Sequence, residues 1–316
     1  MNEAGEAREP FLWGIDYEMS RAFFVSSPFA PGRDILWHIR GSGNCHDLSA
    51  GHVPQLTVVS PPSRGAYGKM HATVMAGLKH GDSFLANLTA PTLVECDVSL
   101  REVFIHSSAP YRLLIGDEFV CFSPEPFVRI EGPVIATYPM KGTADASVPN
   151  ASRALMEDYK EICEHHTIVD LMRNDLNIVA DDVRVERFRY IEEIVAADGR
   201  RLLQTSSEIR ATLAPGHERR FGDILLPLLP AGSISGAPKA ATVELTARAE
   251  GCRRGWYTGV FGLFDGSRMD SAVMIRCLQR GSDGRLRFHS GGGITVNSNA
   301  DDEYAELLAK VYLTNR

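Results

Sequence analysis

Three consecutive segments decide the fold class: Trp256-Tyr-Thr-Gly-Val-Phe-Gly-Leu-Phe264, Ser271-Ala-Val-Met-Ile-Arg-Cys-Leu-Gln279 and Gly284-Arg-Leu-Arg-Phe-His289. Each is rich in β-branched, aromatic or other apolar residues and is bounded by Gly, Asp or Ser, so three strands follow one another without a helix between them. The strict strand–helix alternation of a parallel α/β sheet is therefore missing here. The sequence predicts an α+β fold whose sheets are mainly antiparallel.

The rest of the chain also mixes strands and helices irregularly. Clusters of Pro, Gly and Ser separate short β-like runs, and longer amphipathic runs indicate helices. Further predicted strands lie at Phe11–Ile15, Ala22–Val25, Ile35–Ile39, Leu56–Val59, 82–88, 111–114 and 118–122. Predicted helices lie at 66–80, Ser99–His106, 151–172 and 220–229. Two more begin within Gly236–Lys239 and near Ser298 or Asn299, where Ser298 and Asp301 resemble a capping box.

Composition and charge exclude several classes of protein. The chain has 316 residues, of which 44% are hydrophobic, enough for a large core. A net charge of −7 without a basic run argues against nucleic acid as a partner. The six cysteines have no CxxC spacing, which argues against a zinc site or a disulfide framework. The polar N-terminus has no apolar signal region, and no apolar run approaches the length of a membrane span, so we expect a cytoplasmic protein.

Lys141 stands in Thr137-Tyr-Pro-Met-Lys-Gly-Thr143, a segment suited to presenting a side chain. Proline removes a backbone donor and glycine loosens the chain, so a strand end or a turn is predicted here. A primary amine near a divalent cation favours covalent or acid–base chemistry on an anionic substrate.

Two carboxylate pairs, Glu161/Glu164 and Glu303/Glu306, predict a cation site. Each pair has the spacing that places both side chains on one face of a predicted helix. Mg²⁺ takes oxygen ligands and keeps several waters, so one carboxylate from each helix with a substrate oxygen is a plausible shell. A solvated helix face is the alternative for either pair alone. The run Gly291-Gly-Gly293 lets the backbone approach a ligand and expose N–H donors, or forms a bulge or tight turn.

Two charged or hydroxyl-rich segments remain open to two interpretations. Gly232-Ser-Ile-Ser-Gly-Ala-Pro-Lys239 lacks the ending of a phosphate-binding loop. It either presents hydroxyls and a helix N-terminus to an anion or simply begins a helix. Asp170-Leu-Met-Arg-Asn-Asp175, just past the predicted helix, is expected to form a structural ion-pair network rather than a catalytic group.

Three further side chains are candidates for binding or catalysis. Arg276 lies in the apolar run Ala272–Leu278, where an unpaired charge is costly, so it binds a carboxylate or forms a structural salt bridge. Tyr257, on the preceding predicted strand, could share that anion. Glu125 is flanked by two prolines. Apolar surroundings would raise its pKa and suit a general acid, whereas the alternative is an exposed glutamate in a turn.

In their order along the chain, these segments resemble the chorismate-utilising enzymes. That family includes the component I chains of anthranilate synthase and aminodeoxychorismate synthase, with isochorismate and salicylate synthases as relatives. Each motif is weak alone, but their common order is specific. The segments that carry the resemblance are Asn87–Thr92, Ser123–Glu125, Pro139–Thr143, Glu164–Asp175, Gly232–Lys239, Arg254–Gly259, Ile275–Arg276, Gly291–Ile294 and Glu303–Glu306, with Lys310 at the end.

The resemblance implies one α+β domain over residues 1–316, with 1–85 as a shortened N-terminal portion. Two mainly antiparallel sheets would pack face to face with helices outside. In this family the position of Lys141 is usually alanine in anthranilate synthases and lysine in aminodeoxychorismate synthases. The resemblance therefore favours a Mg²⁺-dependent transferase that converts chorismate and ammonia to 4-amino-4-deoxychorismate, on the route to p-aminobenzoate and folate.

Residue roles are implied in the same way. Lys141 would attack the ring at C2 while Glu125 protonates the departing 4-hydroxyl, and a separate glutamine amidotransferase would supply ammonia. Mg²⁺ would be held by Glu164 and Glu306, with Glu161 and Glu303 behind them. The enolpyruvyl carboxylate would be bound by Tyr257, Arg276 and the backbone of Gly291, Gly292 and Gly293. Further carboxylate contacts are expected from Gly142, Thr143, Ser235 and Lys310.

Some positions depart from the family's pattern. An arginine usual after Lys-Gly-Thr is missing from Ala144–Ser147, and Ala241 replaces the arginine usual after Gly-Ala-Pro-Lys. Gln204 stands near the position where anthranilate synthases carry a catalytic histidine. Three alternatives remain: anthranilate synthase, an isochorismate-type synthase that adds water or ammonia at C2, and a non-catalytic homologue that binds a partner.

Overall fold

The computed structural model describes residues 1–32, 34–45, 51–195 and 201–314. Within them the helices are α1 (Asn2–Glu6), α2 (Arg64–His80), α3 (Leu100–His106), α4 (Ala151–Glu157), α5 (Tyr159–Leu176), α6 (Phe221–Leu225), α7 (Lys239–Glu250) and α8 (Ala300–Ala309). The strands up to residue 125 are β1 (Phe11–Ile15), β2 (Ala22–Val25), β3 (Ile35–Ile39), β4 (Ser42–Gly43), β5 (Leu56–Ser60), β6 (Leu85–Cys96), β7 (Tyr111–Ile115) and β8 (Phe119–Ser123). The later strands are β9 (Pro126–Glu131), β10 (Val134–Thr137), β11 (Met140–Asp145), β12 (Ala180–Val195), β13 (Arg201–Leu213), β14 (Gly236–Ala237), β15 (Val260–Phe264), β16 (Arg268–Val273), β17 (Cys277–Arg280) and β18 (Leu286–Ile294).

The strands form two large antiparallel sheets. In the first sheet the order is β11-β13-β10-β9-β16-β15-β1-β2, and β12 also pairs with β13. In the second sheet the order is β14-β6-β18-β17-β8-β7-β3-β4, and β5 also pairs with β6. The described strand pairs are all antiparallel. The predicted α+β class with mainly antiparallel sheets is confirmed.

Alternation along the strands divides the core into layers. In β8, Phe119 and Cys121 face the first sheet, whereas Val120 and Phe122 pack beneath α3. The outer face of the first sheet is covered by α5 and α6, and that of the second by α2, α3 and α8. Two sheets therefore pack face to face between layers of helices, as predicted.

Two of the places where the chain passes between the sheets are neighbours. β8 of the second sheet leads through Glu125 to β9 of the first, and β16 of the first leads through residues 274–276 to β17 of the second. The two passages are hydrogen-bonded to each other. The Val273 N–H donates to the Glu125 carbonyl at 3.1 Å, and the Phe122 N–H donates to the Arg276 carbonyl at 2.9 Å. The backbone positions of Glu125 and Arg276 are thereby fixed relative to each other.

The predicted helix over 151–172 is wrong in one respect, because it is two helices. Asp158 is extended, with φ −64° and ψ 115°, and its side chain accepts the N–H of Glu161 at 3.0 Å. Aspartate at this position begins a helix rather than continuing one. The second helix, α5, extends to Leu176, so the hexad Asp170–Asp175 lies inside the helix and not beyond its end.

Two predicted strands are also corrected. Residues 256–264 become a strand only from Val260, so Tyr257 lies in the preceding turn. Residues 271–279 are divided between β16 and β17, so Arg276 is not inside a strand but in a passage between the sheets. Its φ of +53° is a left-handed conformation that costs a non-glycine residue about 1–3 kcal/mol. Hydrophobicity is continuous through this segment because both halves are buried, although in different sheets.

Two smaller features differ from the sequence interpretation. Gly291–Gly293 belong to β18 and are neither a bulge nor a tight turn. The N-cap of α8 is Asn299, whose side chain accepts the Asp301 N–H at 2.8 Å, whereas the Ser298 hydroxyl accepts the Thr295 N–H. The expected helices at 66–80 and Ser99–His106 are confirmed, with Ser99 and Glu102 forming a capping box.

None of the helices in the described part of the chain has the length and hydrophobicity of a membrane span. A cytoplasmic location and a single domain over 1–316 both stay predictions.

The break between α4 and α5 can be tested with Asp158→Ala. Removing the cap from α5 is expected to lower the free energy of unfolding by about 1 kcal/mol, as measured by urea denaturation. Asp158→Asn keeps a capping acceptor and is the matched control, with a much smaller loss. Equal stability of the alanine and asparagine variants would contradict the capping role.

Candidate active site

A cleft of about 400 Å³ lies where the two passages meet α5, α8, β11 and β18. All the residues predicted to bind or react line it, except Ser235. They are Glu125, Lys141, Gly142, Thr143, Glu161, Glu164, Tyr257, Arg276, Gly291, Gly292, Gly293, Glu303, Glu306 and Lys310. Side chains that are far apart in sequence are thus brought together from both sheets and two helices.

Lys141 is the second residue of β11, close to the end of the strand as predicted, and it lies at an irregularity in the pairing. Its pairing with β13 shifts register between Lys141 and Thr143, and Gly142 has φ +72°, which favours glycine. A Cβ on Gly142 would lie 2.7 Å from Glu161 Oε2, so a side chain there would displace that carboxylate. The Thr205 hydroxyl donates to the Lys141 carbonyl. The backbone around Lys141 is therefore held from both sides.

The Lys141 side chain reaches from the first sheet toward the second. Its Nζ lies 3.6 Å from Glu164 Oε2 and 3.7 Å from the position that a Cβ on Gly293 would occupy. A primary amine consequently stands beside a carboxylate and a side-chain-free stretch of backbone.

Glu125 is held in the cleft by one short hydrogen bond. Ser233 Oγ donates to Glu125 Oε1 at 2.5 Å. Burial raises the pKa of Glu125, while Ser233 and the cations Lys141, Arg276 and Lys310 act in the opposite direction. The net upward shift has the direction and cause expected from the sequence. A glutamate that keeps its proton to a higher pH can serve as an acid.

The carboxylates of α5 are placed by a contact between this helix and β13. His165, next to Glu164, is buried, and its Nε2 lies 2.7 Å from Ser207 Oγ. Burial lowers the pKa of His165 to about 4, so the ring is neutral near pH 7. A neutral imidazole bonded to a strand hydroxyl fixes the rotation of α5. Glu161 and Glu164 consequently face the cleft.

The carboxylates of α8 face β18. Lys310 Nζ lies 2.6 Å from Glu306 Oε1 and donates to the Gly291 carbonyl at 2.7 Å. A Cβ on Gly292 would lie 3.3 Å from Glu303 Oε2 and 3.5 Å from Glu306 Oε1. Burial lowers the pKa of Lys310, although Glu306 acts against that shift. Glycine at 292 therefore leaves room for the carboxylates beside the strand.

At one edge of β18, backbone N–H groups are not hydrogen-bonded to the neighbouring strand β6. The N–H groups of Asn87 and Thr89 in β6 donate to the Ser235 carbonyl and to Glu250 Oε1, away from β18. Their partners across the ladder are Gly293 and Gly291, so these are non-hydrogen-bonded pairs. The N–H groups of Gly291 and Gly293 therefore point away from β6. Because β17 pairs with β18 only as far as His289, this edge is open to the cleft.

Arg276 lies in the second passage, and Tyr257 lies in the turn that precedes β15. The Thr258 N–H donates to the Met274 carbonyl at 2.7 Å, which links this turn to the passage. The Arg276 guanidinium lies 5.3 Å from the centre of the Tyr312 ring. Tyr257 is buried, and burial raises its pKa, so its hydroxyl stays a donor near neutral pH. Both side chains can donate hydrogen bonds to a carboxylate.

Ser235 does not line the cleft, contrary to the expectation that it contacts substrate. It is 1% exposed, and its hydroxyl donates to the Ala231 carbonyl at 2.9 Å. Ser233, which the sequence interpretation overlooked, occupies the cleft instead. The hydroxyl-rich motif Gly232–Lys239 does contribute a serine to the cleft, but its spacing does not show which of the two serines faces it. Asn87 and Gln204 also line the cleft without an assigned role.

The carboxylates suit a hard cation in their chemistry. Among the residues that the structure describes, no three His, Cys, Asp or Glu side chains form a cluster that could hold a metal ion. Mg²⁺ is usually bound through one or two carboxylates with waters and substrate oxygens, so such a cluster is not required. The oxygen donors of α5 and α8 line one cleft and fit that mode of binding.

A second cavity, of about 580 Å³, lies elsewhere in the molecule and contains none of the predicted residues. Its lining includes Arg40, Arg129, Tyr138 and Asp270. Arg129 Nη2 donates to the Tyr111 hydroxyl at 3.0 Å, and that hydroxyl donates to Asp270 Oδ1. We regard the smaller cleft as the site of chemistry, because the predicted acid, amine and carboxylates meet there.

Comparison with known proteins identifies relatives along the whole chain. An uncharacterised PabA-like protein of Haemophilus influenzae is 46% identical over 312 residues, covering 99% of this chain and 94% of the relative. Anthranilate synthase component 1 of Archaeoglobus fulgidus is 31% identical, covering 80% of this chain and 62% of the relative. Aminodeoxychorismate synthase component 1 of Bacillus subtilis is 30% identical, covering 75% of this chain and 52% of the relative. The chain thus spans little more than half the length of the last two relatives.

Solved structures share the fold. The E. coli menaquinone-specific isochorismate synthase MenF superposes with a TM-score of 0.71 at 17% identity, covering 96% of this chain and 78% of that one. Anthranilate synthase component I of Streptococcus pneumoniae superposes with a TM-score of 0.65 at 24% identity, covering 86% and 62%. The profile of the chorismate binding enzymes matches residues 40–315. With this match over most of its length, the chain belongs to the chorismate binding enzyme family.

Proposed function

We propose that this chorismate-utilising enzyme is the aminating component of an aminodeoxychorismate synthase. It would convert chorismate and ammonia to 4-amino-4-deoxychorismate and water. The observation that carries the proposal is the position of the Lys141 amine, in one cleft with the half-buried acid Glu125 and beside the open edge of β18. A nucleophile and a proton donor in one cleft are what substitution of a ring hydroxyl requires.

The proposed reaction proceeds in two substitutions. Lys141, after its ammonium group has released a proton to solvent, forms a bond to C2 of the ring while the ring double bonds shift and the C4–O bond breaks. Glu125 transfers its proton to the departing hydroxyl, which leaves as water. Ammonia then bonds to C4, the double bonds shift back, and the bond between C2 and Lys141 breaks. The proton released by ammonia restores the acid.

Both carboxylates of chorismate have candidate partners. Arg276, Tyr257 and the N–H groups of Gly291 and Gly293 would hold the enolpyruvyl carboxylate, because they offer donors on one side of the cleft. Thr143, Lys310 and the Gly142 backbone are further candidates. Ser235 is left out because its hydroxyl is bonded to backbone carbonyls.

Mg²⁺ would be held by Glu164 and Glu306, with Glu161 and Glu303 behind them. When bound it would supply positive charge opposite the ring carboxylate. The ion pairs of these acids with Lys141 and Lys310 support a role for this part of the cleft in balancing charge.

Ammonia would come from a separate glutamine amidotransferase. The names of two relatives, each called component 1 of a synthase, support the existence of a second component. Use of the product for p-aminobenzoate and folate is part of the same proposal.

Anthranilate synthase component 1 is the second candidate function, because a 31% identical relative carries that name. Lys141 and Gln204 in the cleft argue against it on the family's usual pattern. An isochorismate-type synthase and a non-catalytic homologue are further outcomes that product analysis distinguishes.

Lys141→Ala is expected to abolish amination of chorismate by the purified chain with Mg²⁺ and excess ammonium, because the nucleophile is lost. Products are separated by retention and mass. Lys79→Ala removes an exposed lysine of α2 and is the control, with wild-type turnover. Formation of anthranilate or of a C2-substituted product by the wild-type chain would contradict the assignment to aminodeoxychorismate synthase. Full activity of Lys141→Ala would contradict the role of Lys141 as the nucleophile.

If Glu125 is the general acid, the rate of chorismate consumption should fall as the pH is raised. The acid works protonated, and burial raises its folded-state pKa, so activity is present below that pKa and is lost as pH rises through it. The midpoint should lie above the ordinary value for glutamate of about 4.3. Glu125→Gln should abolish this dependence on pH and lower the rate by roughly 10²–10⁴-fold. Glu95→Gln, at an exposed position in β6, should show the same fall in rate with rising pH as the wild type.

Glu164→Gln and Glu306→Gln should each raise the Mg²⁺ concentration needed for half-maximal activity by roughly tenfold or more, because each loses an anionic oxygen ligand. Mg²⁺ titration of turnover after chelation with EDTA measures this. Glu244→Gln, at an exposed position in α7, is the control and should match the wild type. Unchanged Mg²⁺ dependence in both cleft variants would argue against these ligands.

A further inference from the structure

Ser233 contacts the candidate acid directly and has no role in the mechanism described above. It lies in the 3₁₀ turn Gly232–Ile234, and its hydroxyl donates to Glu125 Oε1 at 2.5 Å. The turn and Glu125 are more than a hundred residues apart in sequence. This contact is therefore made only by the folded chain.

One end of the turn is anchored to α5. The Gly232 N–H donates to the carboxylate of Asp175, and Lys239 Nζ lies 3.0 Å from Asp175 Oδ1. Lys239 also donates to the Leu228 carbonyl at 2.8 Å. A Cβ on Gly232 would lie 2.5 Å from Asp175 Oδ2, so the turn approaches the helix closely. The network predicted for the hexad Asp170–Asp175 thus reaches the turn that carries Ser233.

The other end of the turn is anchored to a second ion pair. Arg254 Nη1 donates to the Ile234 carbonyl at 3.0 Å, and Arg254 Nη2 lies 2.7 Å from Glu250 Oε1. Both side chains of this pair are 3% exposed. The two anchors hold the backbone on both sides of Ser233, so the serine is positioned beside Glu125 before substrate arrives.

The chemical consequence follows from the two oxygens of a carboxylic acid. In a protonated carboxyl group the carbonyl oxygen accepts a hydrogen bond better than the hydroxyl oxygen does, so the Ser233 donor at Oε1 favours the proton on Oε2. We propose that Ser233 is a positioning residue for Glu125, which holds Oε1 and leaves the transferable proton on Oε2. Ser233 thereby selects the oxygen that protonates the departing group.

The same hydrogen bond also affects the titration of Glu125. A donor to the carboxylate stabilises its charged form, as do the cations that face it: Lys141 from β11, Arg276 from the passage between sheets and Lys310 after α8. Loss of the Ser233 donor leaves the cations in place and should make the acid harder to ionise. The proposal rests on the proposed function only in taking Glu125 as the acid.

The test compares wild type, Ser233→Ala and Ser233→Thr, with Ser235→Ala as the control. Infrared difference spectra against the matching Glu125→Gln protein follow the protonation of Glu125 without substrate. Chorismate consumption is measured on the same proteins. Ser235→Ala loosens the same turn but removes no contact with Glu125.

Ser233→Ala should raise the Glu125 midpoint by about one pH unit, the size expected for loss of one hydrogen bond to a charged group. It should also slow chorismate consumption by roughly 10–100-fold. Ser233→Thr keeps the hydroxyl, so its Glu125 midpoint and its rate of chorismate consumption should be close to those of the wild type. Ser235→Ala should lower the melting temperature without moving the midpoint. If Ser233→Ala does not fold, Ser233→Cys, with a weak donor of similar size, should show the same upward shift.

An unchanged midpoint in Ser233→Ala would overturn the proposal even if the rate falls, because the serine would then be only structural. An equal shift in Ser235→Ala would overturn it too. The spectroscopic midpoint does not depend on which product forms. If the midpoint shifts in Ser233→Ala but the wild-type protein forms anthranilate or no product, the proposed function would be wrong. The proposal that Ser233 positions Glu125 would still hold.

Discussion

The two hydrogen bonds between the chain passages are the constraint on which the rest of the site depends. The Val273 N–H donates to the Glu125 carbonyl, and the Phe122 N–H donates to the Arg276 carbonyl, so two of the places where the chain changes sheets are tied together. Without this tie, an acid from one passage and a guanidinium from the other would have no fixed separation. Packing of the two sheets through residues such as Phe119 and Phe261 keeps the passages in place. The left-handed conformation of Arg276 is tolerated because both neighbouring strands hold it.

The cleft balances charge with pairs that contribute little to stability. The pairs Lys141–Glu164 and Lys310–Glu306 are partly solvated, and such pairs are typically worth about 0–1 kcal/mol. Their importance lies in position, because each places an amine against the glycine-rich edge of β18. Glycine at 142 and 292 makes the same arrangement possible from the backbone side, since a Cβ would press on the carboxylates. Function, more than stability, accounts for the cost of gathering these charges.

Much of the site could be predicted from the sequence, because local spacing carries the information. Glu303 and Glu306 share a helix face by periodicity alone. The two prolines around Glu125 indicate a rigid backbone, but whether that acid is exposed or lies among apolar groups depends on the fold. The helix over 151–172 and the strand through Arg276 were predicted incorrectly where hydrophobicity continued across a change of element. Asp158 ends one helix and caps another, and residues 274–276 change sheets. Neither event alters the apolar pattern that the prediction used.

The α+β class and the resemblance to the chorismate-utilising family could be recognised without the structure, because motifs and periodicities are local properties. Of the residues predicted for binding or catalysis, all except Ser235 line the cleft. Which hydroxyl of the Gly232–Lys239 motif meets Glu125 became clear only from the folded chain. Ser233 and Ser235 are chemically alike and two positions apart, and the anchors that turn one inward, Asp175–Lys239 and Glu250–Arg254, come from other elements. Which serine of the turn faces Glu125 depends on these contacts with distant residues, so it cannot be deduced from the local sequence.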